Sequence, residues 1–114
     1  MQTFAVLLAI GQFVSAAVRP NNPVAKKAIE AALRGAIRKP EGNLTQADRQ
    51  KIIRLGLAGK QISDLTPLTE LSNLQQLWLH NNRLQELTPL AQLKNLESLY
   101  LDHNQVTDLT PLAQ

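Results

Sequence analysis

The stretch LWLHNNRLQELTPL, Leu77 to Leu90, returns nearly unchanged as LYLDHNQVTDLTPL, Leu99 to Leu112, 22 residues later. A weaker copy, LGLAGKQISDLTPL, runs from Leu55 to Leu68, 22 residues earlier. Repetition at a fixed period of this length implies a stack of like units, each with an apolar side that only its neighbours bury. Within LQQLWLHNN, Leu77 and Leu79 alternate with Trp78 and His80, the period of a strand, so the leucines point inward and the others outward. Leu84 and Leu87 carry the core around a turn. In LTPL, Thr88 is placed to cap and Pro89 to start one helical or 3₁₀ turn, a position where the missing proline N–H costs nothing. Leu93 and Leu96 then bring the chain back. Stacking sets the leucines in one column, at about 1.5–3 kcal/mol for each one fully buried. Asn82 and Asn104 fall where the strand bends away, and an inward carboxamide there pairs backbone groups that the turn leaves open.

Ahead of the repeats, MQTFAVLLAIGQFVSAAVRP has no charged side chain before Arg19. Its apolar run is as long as a signal-peptide h-region and too short to span a membrane. Val14 and Ala16 fit the small-residue positions for cleavage after Ala16, and cleavage after Ala17 is the close alternative. The lack of Lys or Arg at the start is atypical, and a buried N-terminal helix is the competing reading. Residues 1–17 are therefore expected to be a signal peptide, and 18–23 a breaker-rich linker.

Residues 24–51 read as a helical cap. Asn22 offers an N-cap and Pro23 the first helical position. Ala25, Ala28, Ile29, Ala32, Leu33, Ala36 and Ile37 make one apolar stripe, with Lys26, Lys27, Glu30, Arg34 and Arg38 off it. Pro40 and Gly42 are expected to end the helix. Thr45 followed by Asp48 resembles a capping box that opens a second, short helix from Gln46 to about Lys51. Asn43-Leu44-Thr45 also matches a glycosylation acceptor, which in a bacterial protein means only a capped helix start.

The chain has 114 residues, 44% of them hydrophobic, and no cysteine, which excludes a disulfide framework or a thiolate metal site. Its net charge of +3 is unevenly spread: residues 19–54 hold nine Lys/Arg against three acids, and residues 55–114 hold three against six. The repeats that would form a binding surface are thus acidic, which argues against a nucleic-acid partner. The basic helix is alanine-rich and lacks large apolar wedges, so it is expected to pack on the repeats. Membrane contact is expected only through the leader, if that is uncleaved.

The pattern LxxLxLxxN, present as LQQLWLHNN and LESLYLDHN, resembles the leucine-rich repeat. The 22-residue period with DLTPL resembles the internalin-type subclass of bacterial surface and secreted proteins, and residues 24–54 resemble the helical cap that precedes such repeats. The resemblance implies an α/β leucine-rich repeat solenoid over residues 52–114, with a parallel sheet on the concave face and short 3₁₀ or helical turns on the convex face. Lys60 departs from it, standing where a ladder asparagine belongs, so the ladder is expected to begin at Asn82. The third copy stops at Gln114, one residue before the next core leucine, which leads to the expectation of a longer protein.

Stacking at about 4.8 Å aligns outward strand positions in rows. These are Arg54–Gln76–Ser98, Gly56–Trp78–Tyr100 and Ala58–His80–Asp102. Trp78 and Tyr100 become neighbours on the concave face, where exposed aromatics suit protein recognition. The blander alternative is that they only cover the sheet. Trp78, Tyr100, His80, Asp102, Gln76, Ser98 and Arg54 are the expected partner-binding residues. His80 beside Asp102 has part of a catalytic triad, yet Ser98 is two rows away with no evident oxyanion donors, so no enzyme is expected. His80, Asp102 and His103 have metal-ligand chemistry but no supporting shell, so no metal and no cofactor is expected. The reading is a protein-binding module of an exported protein, whether periplasmic, cell-surface or secreted. The alternative is a cytoplasmic scaffold or regulatory subunit resembling the phosphatase-regulating repeat proteins.

Overall fold

The structure is a computed structural model that describes residues 19–113, so the expected signal peptide lies outside the described residues. Helix α1, Pro23–Ile37, starts at Asn22, whose side chain accepts the Ala25 N–H at 2.8 Å. It buries Ala25, Ile29 and Leu33, four residues apart on one face, while Ala36 at the edge of the predicted stripe is exposed. The helix stops earlier than its Pro and Gly predict. Arg38 takes a left-handed conformation, φ 57°, its N–H reaching the Gly35 carbonyl and the Lys39 N–H reaching that of Arg34. This is a Schellman-type end made without glycine, against a left-handed penalty of about 1–2 kcal/mol. Pro40 then disfavours helix at Lys39.

Helix α2, Gln46–Gln50, opens on a full capping box: Asp48 N–H donates to Thr45 Oγ1 and Thr45 N–H to Asp48 Oδ2, each at 3.0 Å. Lys39 Nζ donates to the same Asp48 oxygen at 2.7 Å and to the Asn43 carbonyl at 2.7 Å. The Arg34 guanidinium ties down the Lys39 and Gly42 carbonyls, and Arg49 does the same for Leu44. Much of the cap's positive charge is thereby spent fastening the cap itself.

Three strands follow: β1 (Arg54–Gly56), β2 (Gln76–Trp78) and β3 (Ser98–Tyr100), forming one parallel sheet in that order. Each returns through a 3₁₀ turn, at Thr66–Leu68, Thr88–Gln92 and Thr110–Leu112. The threonines do not act as caps by accepting a bond. Thr66 instead donates both its N–H and its hydroxyl to Asp64 two residues back, Thr110 does so to Asp108, and the Thr88 hydroxyl donates to Glu86. The Thr110 hydroxyl, and after it the Thr110 N–H, holds the Asp108 carboxyl below the usual carboxylate range.

The core is one aliphatic column running from Ala25, Ile29 and Leu33 of the cap through the repeats to Leu90 and Leu93. Its end is abrupt. Leu65 and Leu87 are each 1% exposed, whereas their equivalent Leu109 is 60% exposed, because no further coil stacks on it among the described residues.

Asparagine carboxamides join coil to coil. Asn82 Oδ1 accepts the N–H groups of Lys60 and Ile62, and its Nδ2 donates to the carbonyls of Leu57 and Leu79, each at 2.9 Å. Asn104 accepts the Leu84 N–H and donates to Leu79 and Leu101. A second set, unforeseen in the sequence reading, lies on the return side: Asn73 donates to the Gln50 carbonyl and Asn95, 22 residues on, to that of Ser72. The expected linker is also more than a connector. Asn21, 8% exposed, accepts the Ser63 and Asp64 N–H groups and donates to the Asp64 carbonyl, pinning the N-terminal segment to the first coil.

Asn82→Ala should strand the Lys60 and Ile62 N–H groups and the Leu57 carbonyl, the Leu79 carbonyl keeping Asn104, at about 1–3 kcal/mol for each buried group left unpaired. Urea unfolding is expected to show a loss of at least about 3 kcal/mol, against under about 1 kcal/mol for the exposed Asn95→Ala. Equal losses would contradict the buried ladder.

A second expectation concerns acid. The Lys39 ammonium, with the Thr45 N–H next in importance, holds the Asp48 carboxyl well below its ordinary range. A carboxyl lowered on folding contributes stability above its unfolded pKa and loses it as pH falls toward the folded value. The stability advantage of the chain over Asp48→Asn should therefore hold down to about pH 4, the ordinary aspartate value, and shrink below it. A difference that stays constant from neutral pH to pH 2 would show that the charge of Asp48 plays no part.

Candidate functional site

Alternation fixes the concave face. With Leu55, Leu77 and Leu99 facing in, the residues on either side of each must face out. The register aligns Arg54 with Gln76 and Ser98, and Gly56 with Trp78 and Tyr100. Backbone pairing continues one row further, since Gly59 N–H donates to the His80 carbonyl and Asn81 N–H to that of Asp102. Ala58, His80 and Asp102 thus keep the same alignment.

The indole of Trp78 and the ring of Tyr100 stack, with centroids 5.7 Å apart and planes within 10° of parallel. Such a pair is worth about 0.5–1.5 kcal/mol beyond the area it buries, and each ring holds the other in place. Tyr100 remains 46% exposed and Trp78 half-buried. On the other side of Trp78 the row holds Gly56, where an added Cβ would meet nothing within 4 Å. The strand position beside the indole is therefore open space among the described residues, which the sequence reading passed over although Gly56 stood in its row.

The polar rim is looser. Asp102 approaches His103 at 3.9 Å, with both side chains largely exposed. No hydrogen bond links the His80 and Asp102 side chains among the described residues, and Ser98 stays in the row of Arg54, so the structure does not assemble a triad. No group of three His, Cys, Asp or Glu side chains converges as metal ligands among the described residues. His103 lies instead in a turn column with Gly59 and Asn81, all at left-handed φ near 60–67°, which explains its place by backbone geometry.

Comparison with known proteins agrees with this architecture. Two overlapping segments, residues 50–92 and 72–114, match the family described as leucine rich repeats in two copies. Among solved structures, an internalin (InlF) from Listeria monocytogenes superposes with a TM-score of 0.70 at 26% identity over 86% of this chain. This chain spans only 30% of that internalin's length. The CBM51-2 and INT domains of ZmpB from Clostridium perfringens match at 32% identity and TM-score 0.56, covering 69% of this chain and 16% of theirs. Internalin C2 (InlC2) from Listeria monocytogenes matches at 27% identity and TM-score 0.50, covering 75% of this chain and 68% of that one. No curated protein matches this sequence. With its 22-residue coils, parallel concave sheet and helical cap, the chain belongs to the leucine-rich repeat family, in its bacterial internalin-type form.

Proposed function

We propose that this chain is the protein-binding module of an exported bacterial protein and that its partner docks on the concave sheet face. The observation that carries this reading is the Trp78–Tyr100 stack, held rigid on the sheet yet left open to solvent. Aromatic anchors that lose little side-chain entropy concentrate the energy of interfaces. The open position at Gly56 beside the indole leaves a partner side chain room to approach. Gln76, Ser98 and Arg54 on one side, and His80 and Asp102 on the other, supply a polar rim that sets orientation. The leader composition and the likeness to internalins support export, with cleavage after Ala16 or Ala17.

Trp78→Ala and Tyr100→Ala should each weaken partner binding by about 2 kcal/mol or more while the domain stays folded. Gly56→Arg fills the position beside the indole while keeping both rings and should weaken binding too, whereas Gln92→Ala and Lys94→Ala on the convex side should not. Affinities of these variants for a partner captured with the full-length protein decide the matter. Parent-like binding by Trp78→Ala and Gly56→Arg together would place the site elsewhere.

For export, N-terminal mass mapping of the chain expressed in a bacterium should find it outside the cytoplasm, beginning at Ala17 or Val18. Soluble cytoplasmic protein retaining Met1 would overturn that half of the proposal.

A further inference from the structure

Where the N-terminal segment crosses the turns that leave the strands, a cleft of about 460 Å³ opens beside Pro20. Arg19, Arg83, Gln61, Gln85 and Gln105 line it. Gln61, Arg83 and Gln105 form one column at the 22-residue period, so stacking itself gathers them. None of these residues belongs to the concave face.

The walls of the cleft are held in place from behind. Ser63 Oγ donates to the Arg19 carbonyl at 2.8 Å, fixing the segment that carries the first guanidinium. Asn22 Nδ2 donates to Gln61 Oε1 at 3.0 Å, which occupies that carbonyl and leaves the Gln61 amide hydrogens available. Gln61 also has a left-handed backbone, φ 60°, outside the column of turn residues that share this conformation. A non-glycine residue held so costs on the order of 1 kcal/mol, and such strain gathers at ligand clamps.

The electrostatics are one-sided. No carboxylate lines the cleft, and neither Arg19 nor Arg83 has an ion-pair partner among the described residues. The acids of the same turns are engaged elsewhere, Asp64 by Thr66 and Glu86 by Thr88. Two uncompensated guanidiniums therefore share one concavity within repeats whose charge is otherwise acidic. A guanidinium's fork of donors matches the oxygens of a carboxylate. Gln61, Gln85 and Gln105 bring carboxamides, which donate and accept as ring hydroxyls require. Among the described residues no aromatic ring lines the cleft, which removes the stacking platform that a nucleobase would use.

We propose that this cleft binds an acidic sugar, its carboxylate held by Arg19 and Arg83 and its hydroxyls by Gln61, Gln85 and Gln105. The volume lies in the lower part of the range for small-ligand sites, of a size for one ring. The inference is independent of the concave-face proposal, and either can fail alone.

The test is a titration of the full ¹⁵N-labelled chain with glucuronate, glucose and sulfate at constant ionic strength, following backbone amide shifts. Glucuronate should give saturable shifts centred on Gln61, Arg83, Gln85 and Gln105. Arg83→Gln and Arg19→Gln should each weaken it by about tenfold or more, roughly 1.4 kcal/mol. Lys27→Gln, an exposed cation on α1, should leave the affinity unchanged. Glucose binding as tightly as glucuronate would overturn the charge-based assignment, and sulfate binding as tightly would overturn the sugar. Absence of saturable shifts, or parent-like binding by both arginine variants, would overturn the site altogether.

Discussion

The stacking of one coil on the next is the constraint from which the rest of this molecule follows. Each coil exposes leucines on both of its edges, and only a neighbour in register 22 residues away removes them from water. Hydrophobic burial supplies the drive but tolerates sliding, because one leucine resembles another. Asn82 removes that tolerance. Its carboxamide must meet two N–H groups and two carbonyls belonging to adjacent coils, and it does so in only one alignment. Parallel pairing of β1, β2 and β3 then follows, and with it every row on the concave face.

The first and third coils meet this constraint differently. At the beginning, α1 lays Ala25, Ile29 and Leu33 over the first coil, and Asn21 pairs the open backbone of Ser63 and Asp64. The turn of the first coil, which carries Lys60 where the ladder asparagine would stand, is thus paired by carboxamides from both sides, Asn21 and Asn82. At the other end, the outer leucines of the third coil, Leu109 and Leu112, lie exposed. Stability is therefore expected to be graded along the chain, highest where coils are covered on both sides.

The same repeat that builds the core also writes the surface, since any outward residue recurs beside its equivalent. On the sheet this places one aromatic against another; on the turns it places Gln61, Arg83 and Gln105 in one line. A regular scaffold with variable outward positions thereby presents two chemically distinct surfaces, an aromatic one and a cationic, amide-rich one, without altering the core.

By itself the sequence determined the repeat, the strand positions, the inward leucines, the caps at Asn22 and Thr45 and the row that joins Trp78 to Tyr100. These are legible because they depend on period and on short-range hydrogen bonding, both of which are written within a few residues. The tertiary structure decided what depends on contacts between distant segments. Among these are the pinning of the expected linker by Asn21, 42 residues from Ser63, and the meeting of Arg19 with Arg83 in one cleft. No local pattern announces such features, because each exists only when the N-terminal segment or a neighbouring coil has closed over backbone groups that must then be satisfied.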